Sequence, residues 1–365
     1  SETELEELLV ADFTEDGRVL VLWDRYELPA YLYEVRPGSL EVVYGLEVDG
    51  IDLNGQEIWM ANPNILDAFV DFGTAMYPSE RLMVIPWDHG DPIFGICEDA
   101  HFEYPWFPYQ GSLSYDDVGS CLIGHEVDVL AFDTCSAGMA EIAYQYGMMN
   151  ELRGLSVDYI VGSEIYVPGY GFPYDDILTQ MSLMADTSDA LGIACMVVEE
   201  YAESYLAGTP NNGGTTACLS VIDPDAIYEA CGEIRELTRL LASRLQSDYE
   251  TYKAIISEAR GDANLVWGVP SSYGFIDFPI FVQGLTKAPG DKELRTVAKN
   301  VLAILQTEVV LCFGGADAAE SGGAMGLGIC FPPTYEEFVV FFLRYFFAFG
   351  DDTGWLDFLE AFWGI

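Results

Sequence analysis

Two short apolar runs in this chain stop abruptly at polar residues of catalytic type. Leu82-Met83-Val84-Ile85-Pro86 leads into Trp87-Asp88-His89-Gly90, and Val127 to Phe132 leads into Asp133-Thr134-Cys135. Runs of this length, rich in aliphatic residues and closed by polar segments, read as buried parallel strands. Tyr159 to Gly162 is a third, and its Gly/Pro-rich exit, Ser163 to Tyr174, is expected to shape a pocket. Around these runs the pattern predicts a helix from Glu4 to Ala11, a strand from Arg18 to Trp23 and a hairpin-like stretch from Tyr31 to Val35. Asn62-Pro63 supplies an N-cap with proline at the first helical position, opening a helix that runs to Met76. Gly90 to Ser120 reads as a long loop bordering the cleft. Further helices are expected over Ser136–Tyr146, Leu183–Leu206 and Asp225–Ala259, with a turn at Asn211-Asn212-Gly213-Gly214 before a strand from Thr215 to Ile222. From about Gly261 the chain predicts a helix over Asp291–Thr307, strands near Val309–Phe313 and Leu327–Phe331, and a terminal aromatic-rich helix pair.

In an open α/β sheet, ligands gather beyond the carboxyl ends of the strands, so side chains that follow two neighbouring strands can meet there. His89 and Cys135 lie 46 residues apart and fit that placement. A free thiol near pKa ~8.5 is largely protonated at neutral pH, and an adjacent imidazole raises its thiolate fraction or takes its proton. Gly90, without a side chain, lets a carbonyl approach its backbone N–H. With the N–H of Cys135 it would form an oxyanion hole worth roughly 3 to 4 kcal/mol of barrier. The helix expected after Cys135 would point its N-terminus at the sulfur and lower the thiol pKa further. Taken singly, a cysteine is most often a buried structural residue; two catalytic types at two strand ends point to a cysteine hydrolase.

Sixty acidic residues against 15 basic ones give a net charge of −45 on 365 residues. Such a field repels nucleic acid and anionic membranes, steers cationic peptides inward, and raises thiol pKa values. Spread over the surface of about 14,500 Å² expected for this mass, the acids stand on the order of 16 Å apart. That spacing exceeds the screening length of about 8 Å at physiological salt, so high salt is permitted rather than required. Only four lysines occur, Lys253, Lys287, Lys292 and Lys299. With Cys135 free, seven cysteines remain, so at least one more is unpaired. No zinc-type spacing links the cysteines to His89, His101 or His125, so no metal site is assigned. Asp49, Asp52, Asn54 and Gly55 miss the EF-hand pattern. Phe338 to Phe349 is about a dozen residues and contains Arg344, short of the roughly 20 that span a bilayer, and reads as a core helix. There is no signal-peptide or lipidation motif, and the missing initial Met is expected of a trimmed chain.

The ordered blocks Trp87-Asp88-His89-Gly90, Gly95-Ile96-Cys97-Glu98-Asp99, Phe132-Asp133-Thr134-Cys135 with Gly138-Met139 and Glu141, Tyr159–Glu164, Pro168-Gly169-Tyr170-Gly171-Phe172-Pro173-Tyr174, Gly326–Pro332 and Trp355–Leu359 resemble the clostripain-like cysteine peptidases, relatives of gingipain, legumain and the caspases. The resemblance covers most of the chain. It implies a caspase-like three-layer α/β sandwich with a mostly parallel sheet flanked by helices, a catalytic domain over 1–260 lacking the family's first strand, and a C-terminal region over 261–365 that completes or flanks it. It also implies a cysteine endopeptidase in which His89 is the catalytic histidine, Cys135 the nucleophile and Asp133 the acid of a pocket for Arg or Lys, with Glu164 as a second substrate carboxylate. A carboxylate suits a guanidinium and leaves an unpaired charge when the wrong residue binds. No cofactor is required for the chemistry, although calcium dependence is known among relatives. The expected partners are peptides or proteins with basic residues, with no nucleic acid and no membrane insertion, and the expected location is secreted or cell-surface. Two alternatives stay open: a same-fold peptidase with a non-basic preference, or an inactive homologue serving as a binding or surface protein. The chain departs from the family at Ser136-Ala137, where bulkier apolar residues are common. It also has no Lys or Arg between Arg81 and Arg153, where several relatives cut themselves to mature.

Overall fold

The computed structural model describes residues 2–14, 17–25, 28–99, 111–184, 189–206, 209, 217–263, 274–315, 324–342 and 348–365. The turn expected at 211–214 lies outside them. The central sheet has five strands in the spatial order Val310–Gly315, Cys218–Ile222, Val157–Gly162, Val127–Ala131, Met83–Val84. Met83–Val84, Val127–Ala131 and Val157–Gly162 run parallel. Cys218–Ile222 runs against them, and Val310–Gly315 pairs antiparallel with it, restoring the first direction. Four of the five strands therefore point the same way, so one end of the sheet collects the loops that follow them.

Alternation along the strands sends successive side chains to opposite faces. Leu130, Phe132 and Ile160 join the larger core, with the helices Ala140–Arg153, Cys231–Ser247, Phe278–Leu285 and Lys292–Ile304. Val129, Ala131, Val161, Leu219 and Val221 join a second core under Tyr174–Met184 and Ala190–Ser204. The result is the three-layer α/β sandwich with a mainly parallel sheet that the sequence implied. The larger core reaches from Ala61 to Phe362 and takes in the terminal helix Trp355–Trp363.

Ahead of the sandwich, Val19–Arg25, Leu28–Arg36 and Ser39–Val42 form an antiparallel meander. Ala30 and Leu32 from this meander pack with Ile65 of the helix Pro63–Met76. That helix starts as expected, with the Asn62 side chain accepting from the N–H of Asn64. Several elements differ from expectation. The long Gly90–Ser120 loop contains a small hairpin, Gly90–Asp91 with Gly95–Ile96, and a helix, Tyr115–Cys121. The latter is capped reciprocally by Ser114 and Asp117, a box that the sequence carries as Ser-x-x-Asp. The stretch 225–259 divides into Pro224–Glu229, Cys231–Ser247 and the start of Tyr249–Asp262, with Asp223 and Asp248 opening the first and third of these helices.

Candidate active site

Every pair between the first two of these parallel strands has the same register: Met83 with Val129, Val84 with Leu130 and, past the strand ends, Trp87 with Asp133. Each partner lies 46 residues further along, and so does Cys135 from His89. The two residues therefore leave adjacent strands at one level, where neighbouring strands stand about 4.8 Å apart. Beyond the Trp87 bridge, the N–H of Asp133 donates to the Pro86 carbonyl at 3.1 Å. Gly90 closes the junction. A Cβ built there would sit 2.7 Å from the Thr134 Cβ and 2.9 Å from the Cys135 carbonyl oxygen, so only glycine lets the His89 segment lie against the Cys135 segment.

An open cleft of about 230 Å³ is lined by His89, Gly90, Asp91 and Glu98 together with Ser136, Tyr166 and Phe275. Cys135 is half-buried beside it, its Sγ 3.8 Å from the Val167 carbonyl oxygen. Burial, helped by the negative charges of Asp133 and Asp91, pushes its thiol above the ordinary value. The expected helix-dipole assistance is corrected by the structure. The helix begins at Ala140, with Met139 as N-cap, not at Ser136. Residues 136–139 instead form a tight turn: Ser136 has φ +55°, a left-handed conformation uncommon for a residue with a Cβ. The Ser136 N–H donates to Ile165 O and the Gly138 N–H to Ser163 O, both at 2.8 Å. A residue in the left-handed region cannot belong to a right-handed helix, so the helix starts only after Met139.

Asp133 is 3% exposed. Its Oδ2 accepts from the N–H of Phe172 at 3.1 Å and from the hydroxyl of Tyr174 at 2.9 Å. Gly171, at φ +61°, passes so close that a Cβ there would stand 2.8 Å from the same oxygen. The Gly171 carbonyl accepts from Tyr205, so the Pro168–Tyr174 loop is pinned over the carboxylate. Glu164 is 2% exposed and points inward. Its Oε1 accepts from the Gly326 N–H at 3.0 Å, and its carboxyl faces that of Asp277. The structure thus puts His89 and Gly90 in the lining of the cleft, packs Gly90 against Thr134 and the Cys135 carbonyl, sets Asp133 beneath the adjoining loop, and turns Glu164 inward.

Sequence reasoning placed Tyr166 within the pocket-shaping stretch Ser163–Tyr174 but missed Phe275 and Asp277. Phe275 and Asp277 come from a strand, Phe275–Asp277, that pairs with Gly328–Cys330, more than 130 residues beyond the nucleophile. No local pattern marks such a partner, although Asp277-Phe278-Pro279 is an N-cap followed by proline and announces the helix Phe278–Leu285. Among the described residues no group of three or more His, Cys, Asp or Glu side chains is placed to hold a metal ion, so no calcium ligands are assigned.

The α/β sandwich with its mainly parallel sheet has a caspase-like fold. The Clostripain family sequence model matches residues 1–278, and the chain belongs to that family. It is 25% identical over 322 residues to clostripain of Hathewaya histolytica, a match covering 75% of this chain and 57% of that protein. The chain thus spans a little over half the length of this relative. A secreted C11 cysteine protease of Bacteroides thetaiotaomicron, solved with an irreversible peptide inhibitor, superimposes with a TM-score of 0.66 at 16% identity, covering 97% of this chain and 94% of the other. An inactive zymogen C11 protease of Parabacteroides distasonis gives 0.64 at 17%, covering 96% and 92%.

Proposed function

We propose that the protein is a cysteine endopeptidase that cuts after Arg or Lys. The observation that supports this reading is the register of 46 residues that runs through Trp87 and Asp133, two residues ahead of His89 and Cys135, together with Gly90 packed against Thr134 and the Cys135 carbonyl. In the reaction, His89 takes the proton of Cys135 as the sulfur attacks the scissile carbonyl, and the N–H groups of Gly90 and Cys135 receive the oxyanion. His89 then returns the proton to the leaving amine, and water releases the acyl group. Burial pushes the Cys135 thiol up, and in this reading His89 serves as a general base during attack.

Support for a basic preference is electrostatic. Among the described residues the cleft lining carries Asp91 and Glu98 and no lysine or arginine, and Asp133 lies beneath the adjoining loop. A second reading, a non-basic preference, draws on one specific observation: an Asp133 oxygen is already taken by Phe172 and Tyr174. A panel of peptide reporters with Arg, Lys, Asn, Asp or Ala at the cleaved position separates the two. Cys135→Ala is expected to abolish turnover of the preferred reporter, and unchanged turnover would defeat the assignment. An inactive homologue would leave Cys135 unlabelled by a thiol-reactive peptide probe. Peptide or protein chains are the expected partners. The disulfide between Cys195 and Cys312 fits an oxidising compartment and supports a secreted or cell-surface location. No described helix is long and apolar enough to cross a membrane.

A further inference from the structure

The turn that presents Cys135 is clamped from two sides by backbone that one pair of buried acids joins. On the first side, Ser163 O and Ile165 O accept from Gly138 and Ser136. Tyr166 lines the cleft, and the Val167 carbonyl faces the Cys135 sulfur. On the second side, the N–H of Gly328 donates to Gly138 O at 2.9 Å, and Met139 bridges to Gly328 in parallel. Gly138 itself has no spare room, since a Cβ there would lie 2.9 Å from Ser163 C and from Glu164 N.

Glu164 connects the two sides. Its backbone lies between Ser163 and Ile165, and its side chain reaches across to accept from Gly326. Asp277 takes the rest of the same segment: Oδ2 accepts from the Met325 N–H at 2.6 Å, while Oδ1 accepts from Ile280 N–H at 2.7 Å and caps the helix Phe278–Leu285. Both carboxyls are buried, and they face each other. Two ionised carboxylates in such a place repel and lack solvation, so the stable arrangement keeps a proton between them. With both Asp277 oxygens engaged as acceptors, Glu164 is the natural donor. Burial and the Asp277 charge push the Glu164 carboxyl well up, and burial raises Asp277 to about 7. The neighbouring strand Cys218–Ile222 presents the Cys218 thiol to both acids, itself raised by burial and by Glu164. The helix Phe278–Leu285 and the Met325–Gly328 segment present backbone N–H groups.

We propose that Glu164 and Asp277 share one proton and that this proton holds the turn after Cys135 in its attacking geometry, making the two acids positioning residues for the nucleophile. The inference rests on the peptidase reading for its kinetic readout, but the state of the thiol can be read without it.

Glu164→Gln, Glu164→Ala and Asp277→Asn are compared with the parent protein by the rate of Cys135 alkylation with iodoacetamide at fixed pH, by kcat/KM against pH on an Arg reporter, and by melting. Gln keeps an oxygen for Gly326 and an N–H for Asp277 without a proton to lose. Glu164→Gln is therefore expected to match the parent at neutral pH and to hold kcat/KM further into alkali. Glu164→Ala frees the Gly326–Gly328 segment and should slow alkylation and lower kcat/KM by about tenfold or more. Asp277→Asn leaves one oxygen for two N–H donors and should fall with the alanine variant. Equal loss in the Gln and Ala variants, or an alkaline limb that Gln leaves in place, overturns the proposal. If Glu164→Ala does not fold, the Gln profile decides alone. A parent that alkylates at Cys135 yet cleaves no reporter defeats the peptidase reading instead, and the alkylation rates still test the pair.

Discussion

A side-chain carbon on Gly90 would meet Thr134, with a Cβ-to-Cβ distance of 2.7 Å, shorter than real Cβ contacts reach. The same carbon would press on the Cys135 carbonyl, so the residue after the histidine and the residues around the nucleophile form one packed unit. Gly90→Ala must therefore push the two strand ends apart or tilt the Gly90 N–H away from the oxyanion. A displacement of about 1 Å costs on the order of 100-fold in rate. The expected result is a loss of kcat of that size with a melting temperature lowered by only a few degrees. A variant with parental kcat would show that the packing does not set the geometry.

Asp133 offers a test that separates charge from architecture. Asp133→Ala leaves the Phe172 N–H and the Tyr174 hydroxyl without their acceptor, at roughly 1 to 3 kcal/mol for each buried group left unpaired. Tyr174→Phe removes one of those bonds and keeps the carboxylate, at about 1 kcal/mol. If the charge selects the substrate, Asp133→Ala lowers the ratio of Arg to Ala reporter turnover by at least about tenfold while Tyr174→Phe preserves it. Equal shifts in both variants would assign selection to the loop rather than the charge.

The raised thiol of Cys135 gives a pH signature. A thiol pushed up by burial is protonated at neutral pH, so direct alkylation of Cys135 by a small neutral reagent should climb through a midpoint above the usual ~8.5 for cysteine. A midpoint well below that value would mean that a resting ion pair with His89 dominates, contrary to the arrangement described above.

The strands that lead to His89 and Cys135 were legible because each is an apolar run whose strand character is written locally, and the structure pairs them in parallel. The same holds for the helix Pro63–Met76, whose start is encoded by Asn62 and Pro63 side by side. Two features were not legible. The turn at 136–139 departs from the expected helix because Ser136 takes a left-handed backbone, held by bonds to the Ile165 and Ser163 carbonyls that only the folded sheet brings near. Glu164 was expected as a second substrate carboxylate, and its inward direction is set by Asp277 and Gly326, more than 110 residues away. Strand ends are properties of short sequence, whereas the direction of a loop side chain is a property of whatever packs behind it.

The single disulfide among the described residues ties the helix Ala190–Ser204 to the edge strand Val310–Gly315 across 117 residues. By the chain-entropy rule, closing a loop of this length stabilises by about 4 to 5 kcal/mol, less where the unfolded chain keeps structure. Replacing Cys195 and Cys312 together by Ser should lower unfolding stability by several kcal/mol on this rule, measured by denaturant titration, while kcat at low temperature stays near the parent value. A large fall in kcat of the fully folded double variant would show that the edge strand transmits to the site.

Glu141 sets a pH dependence of stability that can be isolated. Its Oε1 accepts from the Cys330 N–H at 2.8 Å, tying the first turn of the helix after the nucleophile to the Gly328–Cys330 strand. Burial raises its carboxyl to about 7, against roughly 4.3 in an unfolded chain. The folded protein therefore holds a proton that the unfolded chain releases between those values. Stability from this group is complete below the lower value, declines as pH rises toward the upper one, and is flat beyond. Glu141→Gln keeps the acceptor oxygen and cannot ionise, so it should match the parent near pH 4. Near pH 8 it should exceed the parent by up to about 3 kcal/mol, since each tenfold gain in proton affinity on folding corresponds to about 1.36 kcal/mol. The check is the difference between the two proteins in urea unfolding at the two pH values, which cancels the repulsion common to both acidic surfaces. A difference that does not change with pH would mean that Glu141 is ionised in the folded state.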